Sequence, residues 1–247
     1  MTLNSTLFDI DLAKRSGVFI TGKRGVGKTN LAMNIVDTLI QNNIDVIVFD
    51  PSRAWRYSSI ENYTEIPEHI EQIRIECPTR DSIVYDLSLL YVYAQKEIIR
   101  NIVAGYFRRQ VRDPDRWRIF VFEECQTLIH RNRLSSREAQ EILRLITVGR
   151  NFKLSYILLT TRPSLVDTSL VALSDQIYIG RLDDINDIRR VKRWIGVYEH
   201  RISRLKTGQF IYRREGDTKL IDTPLFRNIR VEKKTIPVTV LRTRIEV

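Results

Sequence analysis

Cysteine, histidine, proline and glycine are all scarce, at two, three, seven and ten in 247 residues. Cys77 and Cys125 cannot build a disulfide scaffold and carry no metal-site spacing, so a reducing compartment is expected. His69, His130 and His200 stand far apart, with no Cys or carboxylate spacing to suggest zinc. No apolar run approaches the roughly 20 residues of a membrane span. The amino terminus, MTLNSTLFDIDLAKRSG, lacks the basic-then-apolar order of a signal peptide. The chain also has no internal repeat and no low-complexity linker. With 43% hydrophobic and 28% charged residues it reads as an ordinary globular protein, soluble and cytoplasmic, with one large α/β domain.

Charge is plentiful and unevenly placed. Residues 1–100 hold 11 basic and 13 acidic side chains, whereas residues 101–247 hold 29 and 17. The excess clusters at Arg108-Arg109, Arg189-Arg190-Val191-Lys192-Arg193, Arg201/Arg204/Lys206 and Arg213-Arg214, and continues in Arg227, Arg230, Lys233 and Lys234. Any one cluster reads equally as a solvated helix face. Their concentration in one half favours a polyanion-binding surface, because phosphate neutralisation supplies most sequence-independent DNA affinity. Charge alone does not separate nucleic acid from an acidic protein.

Along the chain, strand and helix patterns alternate. GVFIT (17–21) is a short apolar strand, and NLAMNIVDTLIQNN (30–43) sets Leu31, Ile35, Thr38 and Leu39 on one helical face. IDVIVFD (44–50) has the continuous β-branched character of a strand covered on both faces. Residues 51–81 are mixed, with a helix expected near 68–72 and a strand at 73–77. Residues 92–111 repeat apolar positions at helical spacing until Asp113-Pro114-Asp115 breaks them. RIFVFEEC (118–125) is a second apolar strand, and Ser135-Ser136-Arg137-Glu138 reads as a helix start with a carboxylate three residues after the cap. Then come KLSYILLTTRP and DQIYIGRL as strands, DDINDIRRVKRWIG as a helix capped by Asp183 or Asp184, and GQFIYRRE as a strand. VTVLRTRIEV (238–247) alternates as a strand would. The pattern predicts a mainly parallel sheet flanked by helices, with residues 1–215 as core and 216–247 as a strand-rich tail packed on the same domain.

The chemistry is carried by Gly22-Lys23-Arg24-Gly25-Val26-Gly27-Lys28-Thr29, which fits G-x-x-x-x-G-K-[ST] between a strand and a helix. Its glycines let backbone N–H groups curl around a triphosphate at a helix N-terminus. Lys28 would reach the β- and γ-phosphates, and Thr29 would place its hydroxyl on Mg²⁺. Of the two strands that end in acid, the one closing in Glu123-Glu124 is the better metal and water site, since α/β sheets place ligands at the carboxyl ends of their strands. Alternation along that strand would turn the two carboxylates apart. Glu123 is assigned to the metal through water, and Glu124 to the water that attacks the γ-phosphate. Asp50 belongs to the neighbouring unit. Trp55, Trp117 and Trp194 are read as packing residues rather than base-stacking ones, and Cys125 as a buried structural thiol.

The ordered set GKRGVGKT, VIVFDPSRAW, IFVFEEC and GRNFKLSYILLTTRPSLVDTSL, followed by DQIYIGRL, resembles the HerA/FtsK superfamily of P-loop motors over roughly residues 15–215. The resemblance implies a RecA-like, additional-strand fold in which Leu154–Thr160 is inserted between the strands bearing Gly22 and Glu123. It implies ATP and Mg²⁺ as cofactors, a hexameric ring and double-stranded DNA in a basic channel. It gives Thr161 the sensor position, where these motors commonly carry glutamine, and asks for an arginine acting in trans: Arg150 first, then Arg144 and Arg162. It also suggests a role for Asp50 within the nucleotide site, against the plainer one of capping the next turn. Only about 20 residues precede the phosphate loop, which leaves no room for the amino-terminal barrel of HerA, and no membrane anchor is read. That stripped size resembles the genome-packaging ATPases of membrane-containing, particularly archaeal, icosahedral viruses. A capsid, portal or membrane protein would then be a further partner. The competing readings are a HerA-like DNA-processing translocase, an assembly or secretion ATPase acting on protein, and a small-molecule kinase, in which Glu124 would be a liability because it promotes attack by water.

Overall fold

The computed structural model describes residues 7–67, 82–112, 116–130, 136–226 and 232–235. In chain order the elements are α1 (Ile10–Ser16), β1 (Val18–Thr21), α2 (Lys28–Gln41), β2 (Asp45–Asp50), β3 (Asn62–Glu65), β4 (Ile83–Asp86), α3 (Val92–Arg112) and β5 (Arg118–Phe122). They continue with α4 (Arg137–Val148), β6 (Leu154–Thr160), α5 (Thr168–Ala172), β7 (Gln176–Ile179), α6 (Ile185–Ile195), β8 (Gln209–Arg214), β9 (Asp217–Asp222) and β10 (Lys234–Thr235).

All ten strands join one sheet in the order β10-β3-β4-β2-β5-β6-β1-β7-β8-β9. It is parallel from β10 to β7, and β8 and β9 run antiparallel at one edge. β6 lies between β1 and β5, as the resemblance implied. In register, Thr21 stands opposite Thr160 and Ile179, and Phe49 opposite Phe122. The phosphate loop, the acidic pair and the end of β6 therefore emerge at one height, on the carboxyl edge of the sheet.

The continuous apolar runs are explained by two cores, one on each face. Along β2, Ile47 and Phe49 enter the core that holds Phe120, Phe122, Ile102 and Tyr106, while Val46 and Val48 enter the one that holds Leu31, Ile35 and Leu39. A period of two on a strand covered twice leaves no face to solvent, so all six residues of β2 are buried, the terminal Asp45 and Asp50 included. Phe49 anchors the first core, its ring 5.9 Å from Tyr85 and 5.3 Å from Phe122.

Several local expectations shift. α2 starts at Lys28, inside the phosphate motif, and keeps Leu31, Ile35, Thr38 and Leu39 buried. The α4 cap is Ser136, whose side chain accepts from Ala139 N, so the position three beyond it is an alanine rather than Glu138. Asp184, not Asp183, caps α6 by accepting from Asn186 N and Asp187 N. The helix near 68–72, the strand at 73–77 and the strand within 238–247 lie outside the described residues. α1, β3 and β4 were not expected. The two strands have four residues each, too short for a period to show. The 215/216 division falls in the tight β8–β9 turn, where Glu215 and Gly216 both have positive φ. Beyond it the tail crosses the opening turn of α2, with Pro224 O accepting from Asn30 and Asn34, before Lys234–Thr235 pairs with β3.

Candidate functional site

At the carboxyl edge the loop between β1 and α2 curls over the sheet. Gly22 is required by crowding: a Cβ there would sit 2.8 Å from Val26 Cγ2 and 3.1 Å from Gly180 Cα. Gly27 is required by conformation, since φ is 98° at the residue that caps α2. The loop is held from behind, Lys23 N donating to Arg181 O at 2.8 Å and Gly208 N to Val26 O at 3.0 Å. The cleft above it encloses about 900 Å³ and is lined by Lys23, Arg24, Gly25, Gly27, Lys28 and Thr29, with Glu123, Glu124, Gln126, Thr161 and Arg162 on the facing side.

Lys28 is only 7% exposed, and its ammonium donates to Lys23 O at 3.1 Å. Burial pushes its pKa down, and the carboxylates of Glu124 and Glu123 oppose that shift. Thr29 Oγ1 donates to Glu123 Oε1 at 2.9 Å, which joins the first turn of α2 to the end of β5.

The acidic pair diverges for a reason other than strand alternation. β5 ends at Phe122, and Glu124 takes the left-handed conformation, φ 51°, to open a 3₁₀ turn at Cys125–Thr127. Glu123 stays at the sheet and is 6% exposed. Glu124 turns to the other wall, where its Oε2 accepts from Thr161 Oγ1 at 2.8 Å and from Gln126 Nε2 at 2.6 Å. The Thr161 hydroxyl thus holds a carboxylate.

Glu123 has a second donor that sequence reading missed. Trp55, fully buried, donates its indole N–H to Glu123 Oε2 at 2.9 Å. Asp50 makes this possible: its two oxygens accept from Ser52 N, Ser52 Oγ and Trp55 N, capping the turn that carries the indole. Of the two roles open for Asp50, the structure provides the cap. The signal available was the run DPSRAW itself, a terminal strand acid followed five residues later by tryptophan.

Burial pushes the Glu123 carboxyl up to about 7, even though the Trp55 and Thr29 hydrogen bonds favour the ionised form; Asp50 and Glu124 add to the rise. A carboxyl raised by folding favours the native state most below its ordinary range, and that benefit is lost as pH climbs through the raised value. With chelator and no nucleotide, the melting temperature of the wild-type protein should therefore drop between pH 5 and pH 8. Glu123→Gln should flatten that drop, and thermal scans showing equal slopes in the two proteins would refute the assignment.

The arginines separate clearly. Arg150 is exposed in the 3₁₀ turn Gly149–Phe152, before the amino end of β6. It is a whole seven-residue strand, roughly 20 Å, from the cleft in its own chain. Arg144 stacks 4.3 Å over the Phe107 ring and pairs with Glu141. Arg162 does line the cleft, its Nε 3.0 Å from Asp187 Oδ2 and a terminal nitrogen 3.6 Å from Asp184. On α6, Asp187, Val191, Trp194 and Ile195 are buried, and the opposite face presents Arg189, Lys192 and Arg193 to solvent.

Cys125 is buried and free, its thiol pushed up by burial, and Trp117 and Trp194 pack against the two cores. Among the described residues no group of three or more His, Cys, Asp or Glu side chains could hold a metal. Among them, too, no helix is long and apolar enough to cross a membrane.

A mainly parallel sheet with β6 inserted beside β1, a G-x-x-x-x-G-K-T loop over its carboxyl edge and an acid joined to the loop threonine define a P-loop ATPase of the HerA/FtsK type. The chain belongs to the family described as helicase HerA, central domain, which it matches over residues 7–189. Its fold is similar to that of the genome packaging NTPase B204 from Sulfolobus turreted icosahedral virus 2 in complex with AMPPCP, with a TM-score of 0.65 and 14% identity over 84% of this chain and 97% of that one. VirB4 of Thermoanaerobacter pseudethanolicus gives a TM-score of 0.66 at 11% identity, covering 85% and 89% of the two chains. The pCW3 conjugation coupling protein TcpA gives 0.58 at 12%, covering 87% of this chain and 62% of that one. No curated protein matches the sequence.

Proposed function

We propose that this chain hydrolyses ATP to drive double-stranded DNA, and that its cargo is a viral genome pumped into a capsid from the host cytoplasm. The observation that carries the reading is the division of the acidic pair: Glu123 is tied to the loop threonine, while Glu124 faces the cleft with one oxygen held. The family and the likeness to a packaging NTPase support it, as does the exposed basic face of α6.

The phosphate loop and the N-terminus of α2 bind the triphosphate, and Lys28 exchanges Lys23 O for phosphate oxygens. Thr29 Oγ1 and Glu123 are hard oxygen donors 2.9 Å apart, a set that fits Mg²⁺ held by hydroxyl, phosphate and water. When bound there, the ion would neutralise charge on the β- and γ-phosphates. Glu124 orients the attacking water and accepts its proton, and Arg162 stands on the same wall as a positive charge in cis. Arg150, unable to reach its own cleft, acts on that of the next subunit in a hexameric ring.

The test is ATP turnover with and without duplex DNA at low salt, alongside the mass of the assembly. Stimulation by DNA in a ring is expected, and indifference to DNA in a confirmed oligomer would sink the reading in favour of an ATPase acting on protein. Mixing Arg150→Ala with Lys28→Ala subunits should restore part of the lost activity. Additive loss in the mixture would remove Arg150 from the neighbouring site.

A further inference from the structure

We propose that Gln126 is a positioning residue for the catalytic carboxylate, and that its side-chain amide joins Glu124 to the sensor strand. The inference rests on the reading of Glu124 as the group that aligns water. The superfamily resemblance puts a glutamine at the end of the sensor strand, and here that place holds Thr160-Thr161. The amide instead arrives from the opposite side, two residues past Glu124.

Its orientation is fixed by its partners. Gln126 Nε2 lies 2.6 Å from Glu124 Oε2, a carboxylate oxygen that also accepts from Thr161 Oγ1, and 3.4 Å from that hydroxyl. Gln126 Oε1 accepts from Thr160 Oγ1 at 2.6 Å. Exchanging the amide N and O would set two acceptors against each other at Glu124. The Thr160 hydroxyl passes the connection on by accepting from Arg162 N at 3.0 Å, and the Arg162 guanidinium pairs with Asp187 of α6.

The backbone holds this arrangement. Left-handed Glu124 opens the 3₁₀ turn, and Thr127 N and Oγ1 both donate back to Glu124 O at 3.0 Å. Two donors, Thr161 and Gln126, therefore converge on Oε2. Among the described residues Oε1 accepts no hydrogen bond, so it is the oxygen left for water. Loss of the Gln126 amide leaves Thr161 Oγ1 as the remaining donor on Oε2 and loosens the carboxylate about its last torsion, and misplacement of a reacting group by an ångström costs on the order of a hundredfold. The same amide carries the position of Glu124 to the loop at Arg162, so that loop and base move as one.

The experiment is a double-mutant cycle on the full chain, read as steady-state kcat and as the affinity for a non-hydrolysable ATP analogue. Gln126→Ala should lower kcat by about 10- to 100-fold and leave analogue affinity within about twofold, since the residue acts through Glu124 and not on the phosphates. In a Glu124→Gln background, adding Gln126→Ala should change the residual rate by less than about twofold, because the group it positions is gone. Gln126→Met, of similar length and without polar atoms, repeats both measurements and guards against a cavity that unfolds the alanine variant. Unchanged kcat in the single variants, or an equal loss in both backgrounds, overturns the proposal. Wild-type turnover in Glu124→Gln alone would instead overturn the reading of Glu124 beneath it.

Discussion

Glu124→Gln is expected to cut ATP hydrolysis by at least about a hundredfold, the scale contributed by a positioned base, while nucleotide binding stays nearly intact. The substitution keeps the length of the side chain. Its amide oxygen can still accept from Thr161 Oγ1 and Gln126 Nε2, the two donors that fix the wild-type carboxylate. The left-handed backbone at 124 treats glutamate and glutamine alike. What disappears is the negative charge and the ability to take a proton from water. Phosphate release and the affinity for a non-hydrolysable analogue separate the outcomes. A variant that binds and does not turn over supports the division of labour. One that loses binding shows that Glu124 serves the metal and that its roles and those of Glu123 are reversed.

The parts of the site legible in the sequence are contiguous. GKRGVGKT announces itself because a loop that wraps phosphate needs its glycines and lysine at fixed steps, and RIFVFEE because a strand buried on both faces has an abrupt polar end. The inserted position of β6 came from resemblance; no periodicity specifies which strands become neighbours. What stayed hidden is long-range. Trp55 meets Glu123 across 68 positions, and Gln126 meets Thr160 across 34. Neither contact leaves a local pattern, and a tryptophan in a buried pocket reads as packing until its indole partner is seen. The divergence of Glu123 from Glu124 was foreseen with the wrong cause, because a left-handed glutamate cannot be read from its residue type. Arg162 ranked behind Arg150 by sequence, yet the fold brings Arg162 to the cleft of its own chain and leaves Arg150 at the opposite pole.

Lys28→Ala should abolish turnover without weakening the nucleotide-free fold. The lysine is nearly buried, and in the folded protein burial lowers its pKa more than Glu124 and Glu123 raise it. A cation with a lowered pKa costs stability below that pKa, where it stays charged, and the cost fades as pH rises through it. Alanine removes that cost at neutral pH, together with the hydrogen bond to Lys23 O, so the melting temperature without nucleotide should hold or rise. With nucleotide the balance inverts. A charge-assisted hydrogen bond contributes about 1.5–3 kcal/mol, so the affinity for a non-hydrolysable ATP analogue should weaken by roughly 10- to 150-fold. The stabilisation that saturating analogue gives the wild-type protein should shrink in step. Lys28→Met, which keeps much of the buried stem, should behave the same way in binding and turnover, so that cavity formation cannot account for the loss. Turnover retained in either variant would remove Lys28 from the site, and the β- and γ-phosphates would then have to be placed against a different cation in the cleft, Lys23 or Arg162.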